Sequence, residues 1–70
     1  MNDQATPERI RKSRVACGLS QTEFGRRMEP PVSQAVISDV ERGVQSPTVA
    51  WLARAAVVLD VSPRELIPRS

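Results

Sequence analysis

The side chains able to do covalent chemistry in this 70-residue chain are few. There is no histidine, a single cysteine (Cys17), and no pair of carboxylates whose spacing would converge on one pocket. General acid–base and nucleophilic catalysis both need a base held beside the reacting group, so nothing here reads as an enzyme. One cysteine excludes an internal disulfide, and without histidine a structural zinc site is out of reach. No metal or other cofactor is implied. What remains is hydrogen bonding. Gln34, Ser38 and Asp39, with Ala35 among them, lie on one side of the segment 33–42. The other side is made by Val32, Val36 or Ile37, and Val40. Glutamine can pair bidentately with adenine, serine can pair with several bases, and alanine can pack on a thymine methyl. Aspartate can accept from cytosine N4 but would repel a phosphate.

Charge alone says little. Ten basic residues against eight acidic give a net charge of +2, carried on the basic side by nine arginines and one lysine. The position of the charges matters more than their sum. Arg9, Arg11 and Lys12 form a cluster that reads either as a solvated face or as a phosphate contact, and Arg26 and Arg27 carry the same two readings. The opening Met1–Ala5 has no basic stretch followed by an apolar run, and no apolar run approaches eighteen residues. A signal peptide and a membrane span are therefore not expected, and a cytoplasmic setting is.

The elements that must position these side chains follow from punctuation, and they are all helical. Thr6–Pro7 opens a first helix with a cap and a proline suited to the first turn, and Gly18 stops it in a left-handed conformation. Within it Ile10, Ser13, Arg14 and Cys17 share a face, which makes Cys17 a core residue. Ser20-Gln21-Thr22-Glu23 is a capping box for a second helix, stopped by Pro30–Pro31. A third runs from Ser33 to Arg42, with Gly43 as its stop. Ser46-Pro47-Thr48 opens a fourth, with Val49, Leu52, Ala56 and Leu59 as its main stripe and Trp51, Ala55 and Val58 beside it. Only Arg54 interrupts the apolar surface, so this helix should be covered on nearly all sides. Ser62-Pro63-Arg64-Glu65 combines a capping box with a proline and predicts a short fifth helix. The expectation is a compact all-α, five-helix domain over residues 6–67, between a disordered N-terminal segment (1–5) and a tail (68–70).

Two stretches are more specific than this. Arg14-x-x-x-Gly18-Leu19-Ser20-Gln21-Thr22-Glu23-Phe24 is followed by Val32-Ser33-Gln34-Ala35-Val36-Ile37-Ser38-Asp39-Val40-Glu41-Arg42-Gly43. Together with Pro47-Thr48-Val49, Leu52, Ala56, Leu59 and Val61-Ser62-x-x-Glu65-Leu66, they make the chain resemble the phage-repressor and Cro (Xre-type, lambda-repressor-like) helix-turn-helix family. The resemblance covers roughly residues 8 to 67. It implies that the second and third helices form the helix-turn-helix and that the third enters the major groove of double-stranded DNA. It places Gln34, Ala35, Ser38 and Asp39 at base-facing positions. It places Gln21, Thr22, Ser33, Arg42 and Gln45 near phosphates. Arg14 and Glu41 match a partly buried ion pair that ties the first helix to the end of the third.

Three departures from the family pattern stand out. The turn Glu29-Pro30-Pro31-Val32 is two residues longer than usual and lacks the common glycine, which could alter the interhelical angle. Gly25 stands where alanine is usual, allowing closer approach at a cost of about 1 kcal/mol in helix propensity. Asp39 stands where arginine or glutamine is common. The function implied is a sequence-specific repressor, dimeric, reading a palindromic operator with half-sites about 34 Å apart. Trp51 either caps the core or joins Val57, Val58 and Ile67 in a dimer interface. The alternative is a protein-interaction module, an antitoxin or adaptor with secondary or lost DNA binding and a protein partner.

Overall fold

The computed structural model describes residues 5–67, which hold α1 (Ala5–Ala16), α2 (Gln21–Arg27), α3 (Gln34–Glu41), α4 (Val49–Leu59) and a single 3-10 turn, Pro63–Glu65. No strand occurs among the described residues. The disordered segment and tail expected at 1–5 and 68–70 lie outside them, apart from Ala5, which opens α1. Because α1 is already under way at Ala5, Thr6 sits inside the helix and is buried, not at its cap.

Among the described residues four α-helices form, not the five expected. The Ser62–Glu65 capping signature yields only one 3-10 turn, and the Ser62 side chain makes no capping bond. Pro68, three residues past the turn, leaves no length over which helical propagation could repay nucleation.

The other ends are held by local bonding. Ser20 accepts from the Glu23 N–H at 3.0 Å, and Glu23 accepts from the Ser20 N–H at 3.0 Å, closing the expected capping box. That bond from the Ser20 backbone, with the Ser20 hydroxyl and the Arg27 and Arg26 charges, lowers the Glu23 pKa from its ordinary 4.5, partly opposed by desolvation. Ser33 and Thr48 cap α3 and α4 in the same way, accepting from Val36 and Trp51. Three C-termini share one device, a six-to-one backbone bond spanning a left-handed residue. Leu19 N–H reaches Arg14 O across Gly18 (φ 72°), and Val44 N–H reaches Asp39 O across Gly43 (φ 77°). At α4, Val61 N–H reaches Ala56 O across Asp60 (φ 57°), a stop without glycine.

The core gathers Ile10, Leu19, Phe24, Met28, Ile37, Val40, Leu52, Ala55, Ala56, Leu59 and Leu66. Ile37 is the inner residue of α3, with Val36 half-buried at its flank. Trp51 meets Phe24 edge to face, ring centroids 6.3 Å apart. Cys17 is exposed, contrary to the core position expected of it. The helix unwinds there into the Gly18 stop, and the thiol turns to donate to Leu59 O at 3.3 Å. The full covering expected for α4 is also not met within the chain. Leu52, Ala55, Ala56 and Leu59 are buried, while Val49 and Val57 are 61% and 79% exposed.

Candidate nucleic-acid interface

The junction between α2 and α3 decides what α3 can present. Gly25 O accepts from Met28 N–H and, across the Pro30–Pro31 turn, from Val32 N–H at 2.9 Å. The Val32 carbonyl lies directly over the Gly25 Cα, where any Cβ would fall inside van der Waals contact with its oxygen. Glycine is therefore required here by the approach of the turn, and its propensity cost is the lesser effect. The longer turn folds back onto α2 instead of extending the gap between the helices.

On α3 this leaves the first turn open. Gln34 and Ala35 are exposed, and Ser38 and Asp39 are half-exposed one turn further along. Asp39 is not an isolated charge. Arg42, the C-cap of α3, donates from Nη2 to Asp39 Oδ1 at 2.9 Å, so the outer end of the helix carries a compensated pair. At 65% and 38% side-chain exposure such a pair adds little stability, and it sets the guanidinium beside the carboxylate. Among the other expected phosphate-side residues, Thr22, Ser33 and Gln45 are exposed and Gln21 is half-buried. The Gln45 N–H bonds back to Asp39 O at 3.2 Å, which holds that segment against the end of α3.

Beneath this surface Arg14 and Glu41 meet as expected, in a fork. Nε reaches Oε2 at 2.6 Å and Nη2 reaches Oε1 at 3.0 Å, while Nη1 donates to Leu19 O at 2.9 Å. Side-chain exposures of 13% and 3% make this a partly buried pair with its donors occupied. Two further bonds were not foreseen. Gln21 Nε2 donates to Glu41 Oε1 at 3.1 Å, and Gln34 Nε2 donates to Gln21 Oε1 at 2.6 Å. The signal was present as a recurrence: a Ser-Gln dipeptide, cap followed by first helical residue, opens both α2 and α3.

Of the basic cluster on α1, Arg9 reaches across to Glu65 O at 3.2 Å and ties α1 to the C-terminal 3-10 turn. Arg11, Lys12, Arg26 and Arg27 are exposed. Trp51, Val58 and Ile67 are half-buried against the core, and only Val57 of the expected dimer residues stands clear of it. Among the described residues no group of histidine, cysteine or carboxylate side chains could hold a metal ion, and no helix is long and apolar enough to cross a membrane.

The sequence model of a helix-turn-helix family matches residues 10–66. Among solved structures, the chain is similar to the restriction-modification controller protein C.AhdI from Aeromonas hydrophila, at 30% identity and a TM-score of 0.81. That match covers 90% of this chain and 88% of the controller. No curated protein matches the chain.

Proposed function

The chain belongs to the helix-turn-helix family of Cro- and Xre-type DNA-binding transcriptional regulators, and we propose that it works as a dimeric repressor reading a palindromic operator through α3. The observation that carries this reading is the open first turn of α3. Gln34 and Ala35 are exposed there, Ser38 and Asp39 follow on the next turn, and Ile37 and Val40 anchor the opposite face in the core. A helix built this way enters a major groove with its N-terminal side chains at the base edges. Gln34 then faces adenine, Ala35 a thymine methyl, and Ser38 and Asp39 the following pairs. Asp39 reads cytosine N4, because Arg42 offsets its charge from the phosphates alongside. Gln21, Thr22, Ser33, Arg42 and Gln45 position the chain on the backbone without reading sequence.

Support for the dimer comes from α4, where Val57 is left uncovered by its own chain while Trp51 and Val58, with Ile67 beyond the helix, are half-buried against the core. Joining two copies there doubles the phosphate contacts and sets the half-sites one helical turn apart. The folded unit is residues 6–67, working in the cytoplasm where the DNA is, with no catalytic step. The likeness to a restriction-modification controller makes a restriction-modification locus the first place to seek an operator.

The test is selection from a pool of randomised duplexes, followed by sequencing of the bound fraction. A two-fold symmetric motif with half-site centres about 34 Å apart is the expected result. Enrichment of no motif, with capture of a protein partner through the α4 face, would replace this reading with that of an interaction module.

A further inference from the structure

Asp39 brings a carboxylate to the open side of α3, and we infer that it makes recognition depend on the methylation state of the base it faces, so that an operator cytosine methylated at N4 is refused. The inference rests on the reading that Asp39 faces cytosine.

An ionised carboxylate only accepts hydrogen bonds. Asp39 Oδ1 takes Arg42 Nη2 at 2.9 Å, and among the described residues nothing donates to Oδ2. The side chain is half-exposed, so this second oxygen is open to an incoming donor. Ala35, one turn back on the same side of α3, has no polar side-chain atom to occupy it. Arg42 spends only one of its several N–H donors on Asp39, so the pair and a phosphate contact are compatible.

In the major groove a lone acceptor is matched by an exocyclic amino group, which cytosine offers at N4. Of the two N–H bonds on N4, one points to guanine in the base pair and the other into the groove. A methyl group on N4 must take the groove side, because the pairing side has no room for it. The base pair survives, while the donor that Asp39 needs is replaced by carbon. The carboxylate then faces a methyl group, desolvated and short of one bond. A methyl group on C5 acts differently, since it lies beside the amino group and leaves the groove-side N–H in place. An arginine at this position, which only donates, would read guanine and be blind to methylation of an amino group. Aspartate here thus changes both the base that is read and the modification that can be sensed.

The experiment uses the full chain and the variant Asp39→Ala, each checked for helical content. Duplex selection with both identifies the cytosine that Asp39 reads, as the one whose preference disappears in the variant. The selected duplex is then made with cytosine, N4-methylcytosine or 5-methylcytosine at that position in both half-sites, and each is titrated. N4-methylation should weaken wild-type binding by at least about tenfold, the scale of one lost hydrogen bond to a charged group, and 5-methylation by less. Asp39→Ala should bind the three duplexes alike. Each comparison is made within one protein, so a uniform affinity gain from removing a negative charge cancels. If Asp39→Ala relaxes no cytosine, the base-reading role fails and the inference falls with it. If it relaxes a cytosine, but N4-methylation there costs the wild type nothing or costs the variant as much, the methylation sensing alone is overturned. Equal losses from the two methyl groups in the wild type would also overturn it, by showing that bulk in the groove is felt and not the missing donor.

Discussion

Arg14 and Glu41 illustrate how one pair of residues can hold a fold together while contributing little by its mere presence. Two charges withdrawn from water cost several kcal/mol, and their attraction returns this only because the fork geometry and the Leu19 carbonyl occupy the donors. Removing one partner strands the other. Glu41→Ala should destabilise the domain by about 3 kcal/mol, measured by urea denaturation, a large share of the roughly 5–15 kcal/mol that such domains possess. The double variant Arg14→Met, Glu41→Leu should recover most of that loss, and a double variant as unstable as the single one would contradict the argument. This pair was legible in the sequence through the spacing of the family motif. Its continuation to Gln21 and Gln34 was not, because residues 13 apart in the chain meet only after α2 and α3 have taken their relative angle. Cys17 was misplaced for a related reason: counting helical periodicity inward assumes that the helix continues, and it ends there.

At the scale of the elements, the stops decide the geometry. Gly18 and Gly43 were readable because glycine is the residue that enters the left-handed region without a Cβ penalty. Asp60 was not, since aspartate adopts that conformation only at a cost and carries nothing that marks it as a stop. Asp60→Gly should relieve about 1–2 kcal/mol of backbone strain and remove a negative charge from the negative end of α4. Against this stands the extra freedom of glycine in the unfolded chain, about 0.5–1 kcal/mol. A net stabilisation near 1 kcal/mol is expected in a denaturation midpoint, and a loss of stability would show that the Asp60 side chain has a role of its own. Gly25→Ala sets the same two effects in the opposite order. Alanine gains about 1 kcal/mol of helix propensity, but its Cβ drives into the Val32 carbonyl, so a net loss of stability is expected. A gain would mean that the Pro30–Pro31 turn shifts freely. The sequence disclosed that Gly25 permits a close approach but not that the turn itself makes the approach. The fifth helix failed because capping signals say where a helix can start, not whether enough chain follows to sustain it.

For the whole molecule, the proposed dimer joins the exposed part of α4 to the open first turn of α3 in one expected assembly. Val57, at 79% exposure, contributes nothing to the core, so Val57→Asp should leave the fold intact. If two copies join through this face, the variant should sediment as a monomer where the wild type sediments as a dimer, with weaker binding to a palindromic duplex. An unchanged sedimentation coefficient would place the dimer contact elsewhere. The most direct measurement of the central claim is a titration of the full chain against its selected duplex and a shuffled one, each at about 50 and 200 mM salt. With about six phosphates held by a dimer, affinity should fall by roughly 1,000-fold between those concentrations as counterions are released. The selected duplex should remain preferred, and Gln34→Ala should weaken that preference. Affinity indifferent to salt, or equal for the two duplexes, would contradict the account of α3 as a reader of DNA.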